Sequence, residues 1–191
     1  MKTLLIISFA ASLTLMQGCA GVIVAGAAGT ASVAGDSRSL SVQMSDQNIE
    51  SKAYGAIKEE LTLYQASRIS VIANNGNVLL IGQTPTSANK SQVEKMVKNI
   101  DGVRRVFNEI RLKKPISLSK QSSDSWITTK VKSLLLDTPE IASLRIKVVT
   151  EDTEVFLIGL VTEKESDKAV DVARHVKGVT QVIKVFEYIP E

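Results

Sequence analysis

An internal repeat constrains the fold of this chain more strongly than any other feature of its sequence. The segment Ile69–Gly82 aligns without a gap with Ile146–Gly159, and Asp101–Ile110 aligns with Lys177–Phe186 after a one-residue deletion. A repeat of this length indicates that one supersecondary unit has been used twice. The sequence therefore predicts two copies of about 68 residues each. Because a unit this small is marginally stable alone, we expect the copies to pack against each other.

The repeat divides the chain into five parts. The stretch between the two copies contains Pro115 and four serines, which is the composition of a linker. The predicted parts are a signal peptide at 1–18, a lipidated cysteine with a flexible tether at 19–45, a first domain at 46–113, a linker at 114–123 and a second domain at 124–191.

Each copy has the same predicted order of elements, α-β-β-α-β, and Asp46 and Asp124 stand where N-caps of the first helices are expected. The fold class is α+β, with two tandem domains that each pack a small three-stranded mixed sheet against two helices. In the first copy the predicted helices are 47–63 and 87–100 and the strands are 69–73, 78–82 and 103–112; in the second copy the helices are 125–136 and 164–176 and the strands are 145–150, 155–160 and 179–189.

The turns are predicted from glycine and asparagine. Asn75-Gly76 indicates a two-residue hairpin turn, since both residues tolerate a positive φ. Thr153 replaces that glycine in the second copy, so the type of its turn stays open. Four further glycines have predicted structural roles: Gly82 and Gly159 end strands with a tight bend, and Gly102 and Gly178 close the second helices as C′ residues.

The first nineteen residues have the pattern of a secretion signal. Lys2 precedes the apolar run Leu4–Leu15, which is too short to span a bilayer of about 30 Å as a helix. Met16–Cys19 then resembles a bacterial lipobox, although methionine and glutamine replace the usual leucine and small residue. The resemblance implies cleavage before Cys19 and acylation of that cysteine, palmitate included. Ala20 follows where aspartate would favour retention in the inner membrane, which implies an outer-membrane lipid anchor facing the periplasm.

The composition argues against disulfides, metal sites and catalytic sites. The 191 residues include one Cys and one His, and aromatic residues make up 4%. A disulfide framework, a metal site and a base-stacking platform are therefore not expected. His175 and the acidic pairs Glu59-Glu60 and Glu163/Glu165 are expected to be ordinary helix-surface residues. We expect no enzyme activity, no cofactor, no small-molecule substrate and no nucleic-acid partner.

The order of elements, the Val-x-Leu-x-Gly pattern ending at Gly82 and Gly159, and the Gly-Val pair after each second helix together resemble the BON domain. The resemblance covers about 70% of the chain. It implies a non-enzymatic protein that binds phospholipid or other surfaces. Two such domains behind a lipobox resemble outer-membrane lipoproteins that support membrane integrity. For such proteins the resemblance also implies a place at the division site and a link to the regulation of septal peptidoglycan amidases.

A helical wheel places the one tryptophan of the chain on an outward face. Ile127, Val131, Leu134 and Leu135 form the predicted core stripe of the first helix in the second copy. The residues proposed to contact phospholipid lie away from that stripe: Trp126, Thr129, Lys130, Lys132, Ser133 and Leu136. The same face in the first copy carries no large apolar residue. An indole beside lysines suits the interface of an anionic membrane, but Trp126 could instead contact the other domain or pack locally.

Net charge alone would favour attraction of the first copy, not the second, to an anionic membrane. Residues 46–114 contain 11 basic and 7 acidic residues, whereas residues 124–191 contain 9 basic and 12 acidic. A basic cluster follows the last strand of the first copy, at Arg104, Arg105, Arg111, Lys113 and Lys114. It could be solvated, could contact the acidic second copy, or could bind lipid headgroups.

The sequence thus predicts an outer-membrane lipoprotein whose second copy docks on anionic phospholipid through the Trp126 surface. The alternative is a protein–protein adaptor that uses the same surface for an envelope partner, such as an amidase activator or the outer-membrane assembly machinery. The headgroup preference, the protein partner, the oligomeric state and the orientation of the anchor are not determined by the sequence.

Overall fold

The computed structural model describes residues 40–190, so Cys19, the signal peptide and most of the tether lie outside the described residues. The first repeat consists of α1 (Leu40–Glu59), α2 (Leu61–Ala66), β1 (Arg68–Asn74), β2 (Asn77–Thr84), α3 (Ser87–Lys98), β3 (Arg105–Asn108) and β4 (Arg111–Leu112). The second consists of α4 (Leu118–Leu136), a 3₁₀ turn (Ser143–Arg145), β5 (Ile146–Glu151), β6 (Glu154–Val161), α5 (Glu163–Arg174) and β7 (Gln181–Tyr188).

The α+β class and the repeated mixed sheet are confirmed. In each repeat an antiparallel hairpin, β1–β2 or β5–β6, pairs in parallel with the last strand across β2 or β6. The crossover helix, α3 or α5, and the first helix cover the same face of the sheet, where each repeat buries its own apolar cluster. The last strand of the first repeat is interrupted at Glu109 and Ile110, so β3 and β4 pair with β2 separately.

The predicted linker is largely helical. Helix α4 begins at Leu118, with the Ser117 hydroxyl accepting from the Lys120 N–H as the N-cap, and it runs without a break to Leu136. Only 113–117 connect the repeats as irregular chain. Two of the four serines that suggested a linker, Ser122 and Ser123, are accommodated within the helix, since their hydroxyls donate to carbonyls one turn earlier.

Asp46 and Asp124 are not N-caps, which corrects the sequence prediction. Both lie inside helices and are buried. Asp124 accepts from the backbone N–H groups of Asp152 and Thr153 at 2.7 and 2.9 Å, and Asp46 does the same for Asn75 and Gly76 at 2.8 and 2.9 Å. Each aspartate therefore fixes the first helix of its repeat to the tip of the adjacent hairpin.

The two hairpin turns have the same conformation although their sequences differ. Asn75 and Gly76 have φ values of 54° and 74°, as predicted, and Asp152 and Thr153 have 50° and 69°. A β-branched residue at this φ is strained. The side chain of Asp124 and the main-chain N–H of Thr180, which donates to the Thr153 carbonyl at 3.0 Å, hold Thr153 in place.

The four glycines are structurally required, but not for the predicted reasons. Gly82 and Gly159 lie within β2 and β6, which continue two residues further. A Cβ at these positions would approach the Arg68 and Arg145 carbonyl oxygens to 2.0 and 2.3 Å. Gly102 and Gly178 are not C′ residues, because α3 and α5 end at Lys98 and Arg174. They have φ values of 91° and 98° in the turns that lead into the last strands.

The repeats pack through the faces of their sheets that point away from the helices. Leu79 and Ile81 of β2 form one buried cluster with Phe156 and Ile158 of β6 and Val185 of β7. The alternate residues of the same strands, Val78, Leu80, Val155 and Leu157, belong to the separate cores beneath the helices. Both central strands are thus buried on both faces, and the expected packing of the copies is confirmed.

Ion pairs and hydrogen bonds surround this apolar contact. Arg68 and the Gln83 side-chain amide both donate to the carboxylate of buried Glu151. At the rim, pairs join Arg111 to Glu154 at 2.9 Å, Arg104 to Glu187 at 3.6 Å and Lys113 to Asp152. Three of the five residues in the basic cluster thus contact the acidic second repeat, which was one of the three alternatives that the sequence left open.

We expect Thr153→Gly to stabilise the protein by about 1 kcal/mol, because glycine adopts a positive φ without steric cost. Thermal unfolding followed by circular dichroism measures the change. Thr153→Ala is the matched control: it removes the hydroxyl but keeps a Cβ in the left-handed region, so it should give no gain. Equal melting temperatures for Thr153→Gly and the wild type would show that the turn carries no strain.

We expect Glu151→Ala to destabilise the protein by about 2 kcal/mol, since it leaves the Arg68 guanidinium and the Gln83 amide without their acceptor. Urea unfolding measures the free energy. Glu140→Ala is the control, because Glu140 forms only an exposed pair with Lys168 at 3.7 Å and should change stability by less than 0.5 kcal/mol, as roughly expected for surface pairs. Equal effects of the two variants would contradict the assigned role of Glu151.

Candidate functional site

The outward face of α4 is exposed as the sequence predicted. Trp126 is 56% exposed and Leu136 is 59% exposed, and the other predicted contact residues, Thr129, Lys130, Lys132 and Ser133, are also exposed. The opposite face carries the second repeat's core through Ile127, Val131 and Leu135, with Leu134 half-buried against it.

Trp126 does not belong to any of the three apolar clusters, including the one between the repeats. Its ring is therefore not buried in the contact between the repeats. Because Asp124 and Ile127 bind α4 to the hairpin tip and the core, the helix is held in one rotation. That rotation directs the indole outward.

An open groove of about 740 Å³ lies beside the indole. Trp126 and Ile127 line it together with Thr153 of the hairpin tip and with Lys177 and Gly178 of the turn before β7. Ser119, Ser122 and Ser123 complete the wall from the first turns of α4. The groove therefore joins an aromatic ring, a cation and several hydroxyl groups, which suits a ligand that is apolar at one end and polar at the other.

The lysines around the indole have no acidic partners. Lys130, Lys132 and Lys177 are exposed, and none of them forms an ion pair within residues 40–190. Lys120, one turn from the start of α4, differs because it pairs with Asp152 at 3.1 Å. Three positive charges near Trp126 thus remain available to an anionic ligand.

Sequence reasoning missed two apolar residues near this face. Leu118 is 79% exposed in the first turn of α4, in the segment that was expected to be a linker. Leu144 is exposed in the 3₁₀ turn, and with Leu136 and Lys132 it lines a second, smaller groove of about 180 Å³. The apolar spacing from Leu118 to Trp126 and Leu136 could have identified the longer helix.

The corresponding face of the first repeat differs. Asn48 takes the position of Trp126, and Asp101 takes that of Lys177. The sequence analysis found no large apolar residue on this face, but α1 exposes an aromatic residue at the margin of it. Tyr54 is 48% exposed, and its hydroxyl lies 3.0 Å from that of Tyr64 on α2. The wheel omitted Tyr54 because it lies at the edge of the core stripe.

His175 and Glu165, which could suggest catalysis, both contact backbone groups at or near helix ends. His175 is exposed, and its Nδ1 lies 2.7 Å from the Asp171 carbonyl oxygen one turn earlier. Burial acts to raise the pKa of Glu165, but bonds from the Thr162 and Ala142 N–H groups and the nearby Arg145 lower it overall. Glu165 is therefore a carboxylate that caps α5.

Two further features concern only the described part of the chain. Within residues 40–190 no group of three or more His, Cys, Asp and Glu side chains is arranged to hold a metal ion. None of the helices there is both long and apolar enough to cross a bilayer.

Comparison with known proteins agrees with this architecture. The model of the BON domain matches residues 45–114 and 123–190. The chain is 37% identical over 174 residues to the outer membrane lipoprotein DolP of Haemophilus influenzae, which covers 91% of this chain and 90% of that protein. It is 41% identical over 154 residues to a 21 kDa hemolysin of Actinobacillus pleuropneumoniae, with 81% and 79% covered.

A more distant relative is the osmotically-inducible protein Y of Escherichia coli, which is 29% identical over 142 residues and covers 73% of this chain and 70% of that protein. The two matched segments coincide with the two repeats, each with its own helix-covered sheet. The chain therefore belongs to the BON domain family and contains two copies of the domain.

Proposed function

We propose that this protein is an outer-membrane lipoprotein without enzymatic activity that binds anionic phospholipid through its second BON domain. The observation that carries the proposal is the half-exposed Trp126 ring on an outward side of α4 that also exposes Lys130, Lys132 and Leu136. An indole of this kind partitions among headgroups with its N–H still hydrated.

The charges on this surface also favour binding to an anionic membrane. Each lysine near an anionic membrane contributes about 1 kcal/mol of attraction. The second domain has more acidic than basic residues, which would oppose binding, but Glu151, Asp152, Glu154 and Glu187 all pair with basic residues of the first domain. These four of the twelve acidic residues exceed the domain's excess of three acidic over basic residues, whereas Lys130 and Lys132 of α4 form no ion pair within residues 40–190.

We also propose that Cys19 is the acylated N-terminus. The relative from Haemophilus influenzae is named an outer membrane lipoprotein, and the sequence before Cys19 resembles a lipobox. Two or more acyl chains give stable anchoring, at about 0.8 kcal/mol per buried CH₂. The anchor would keep the second domain close to a bilayer, in the periplasm. A role in outer-membrane integrity at the division site, with a link to septal amidases, is part of this proposal.

A second candidate is a protein–protein adaptor. The groove of about 740 Å³ beside Trp126 favours it, because an aromatic ring at the edge of an open groove is also typical of protein interfaces. The two candidates use the same residues and differ in what they bind.

Vesicle binding separates these candidates. Residues 36–191 contain all three apolar clusters and should fold without the anchor. We expect this chain to co-sediment with phosphatidylglycerol vesicles, and Trp126→Glu to reduce the bound fraction at least tenfold, because a carboxylate replaces the inserted ring. Leu61→Glu, at an exposed site of the first domain, is the matched control and should bind as the wild type does.

If the Trp126→Glu variant binds vesicles as well as the wild type, or if neither binds, the lipid proposal fails and the adaptor is favoured.

Acylation is tested in cells. We expect the wild-type full chain to incorporate a clickable palmitate analogue and to fractionate with the outer membrane, and Cys19→Ser to lose both properties. Trp126→Glu serves as the control and should remain labelled. Incorporation of the analogue by Cys19→Ser would place the lipid elsewhere.

A further inference from the structure

Strand β1 forms an open edge of the first sheet. It pairs with β2 on one side only. In a hairpin with a two-residue turn, the residues next to the turn exchange hydrogen bonds and the alternate residues point their N–H and C=O groups away from the partner strand. The outward residues of β1 are therefore Ile69, Val71 and Ala73.

At the end of this edge nearest the hairpin turn, the outward backbone groups already form hydrogen bonds. The N–H of Ala73 donates to the Glu50 carboxylate at 2.7 Å, and the Ala73 carbonyl accepts from Lys147 of the second domain at 2.6 Å. No corresponding bond joins the outward backbone groups of Ile69 and Val71 to the rest of residues 40–190. The open stretch is thus continuous with the contact between the two domains, and another extended backbone is what would satisfy it.

A side-chain groove lies beside the open stretch. It has a volume of about 320 Å³ and is lined by Tyr54 and Ile57 of α1, Tyr64 of α2, and Ser67, Arg68 and Ile69 at the start of β1. The tyrosine rings meet edge to face, with centroids 6.2 Å apart. A strand added along β1 would direct alternate side chains toward the helices, where this groove can receive an apolar one.

Charge distinguishes the possible occupants. Glu59 and Glu60 are exposed at the junction of α1 and α2, four to five residues before Tyr64, and neither forms an ion pair in the described chain. Two carboxylates repel an anionic membrane and attract a basic side chain. Lys58 beside them is also exposed and forms no ion pair within residues 40–190, and Arg68, the cation that lines the groove, is paired with Glu151. The junction next to the groove therefore has one more negative than positive charge, whereas the exposed charges on the Trp126 surface of the second domain are lysines.

We propose that the first BON domain binds an extended peptide segment of a partner protein by strand addition to β1. The segment places an apolar side chain in the groove against the Tyr54 and Tyr64 rings, and a basic side chain near Glu59 and Glu60. The protein would then bind a membrane with one domain and a polypeptide with the other. A second copy of this chain fits less well, since β1 paired with β1 would leave the tyrosine groove unfilled.

A peptide-display selection tests this proposal. The probe is a random dodecapeptide library, presented to the acylated full chain in dodecyl maltoside micelles. We expect selected peptides to alternate apolar residues and to carry a lysine or arginine. Tyr64→Ser should weaken their binding at least tenfold, measured by titration calorimetry, while Trp126→Glu should leave it unchanged. Binding to phosphatidylglycerol vesicles should show the reverse dependence on these two variants.

Hydrogen exchange gives a second measurement that needs no variant. The selected peptide should slow exchange of the Val71 N–H at least tenfold, whereas the N–H groups of Ser70 and Ile72, which already face β2, should change little. The proposal is overturned if no selected peptide is sensitive to Tyr64→Ser, or if protection appears on α4 instead. It is also overturned if Val71 is protected without peptide in a chain that sediments as a dimer, because the edge is then occupied by a second copy.

Discussion

The packing of one sheet against the other is the contact on which the rest of this structure depends. Each central strand supplies two alternating sets of apolar residues, one for its own core and one for the contact between domains. A domain of this size buries so little surface that it is only marginally stable alone. The shared cluster around Phe156 and Ile158 therefore stabilises both copies. The two layers of helices consequently face outward, and the first helix of each domain keeps one side exposed.

The same contact determines the charge of the surfaces that remain. Basic residues of the first domain and acidic residues of the second are paired across the rim, with Glu151 buried among them. The net charges of the isolated segments therefore say little about what each domain attracts. The exposed charges near Trp126 are lysines, whereas at the junction beside Tyr64 two glutamates outnumber Lys58. The net charges of the two segments suggest the opposite distribution.

Duplication explains how two such different surfaces arise on one scaffold. The residues that hold each repeat together are kept: Asp46 and Asp124 bind the hairpin tips in the same way, and Gly82 and Gly159 avoid the same backbone clash. Residues on the outward side carry no such constraint. The second hairpin even retains the conformation of the first with Thr153 in place of glycine, because the aspartate and the neighbouring strand bonds impose it.

The sequence by itself determined the two repeats, the order of their elements and the outward direction of Trp126, because local periodicity and turn residues carry that information. It did not determine the start of α4 or the roles of Asp46 and Asp124, since a cap and a buried helical aspartate look alike without the hairpin they bind. Only the tertiary structure decided which charges are neutralised between the domains and where β1 is left open. Both depend on how the two sheets meet, and residues far apart in the chain set that contact.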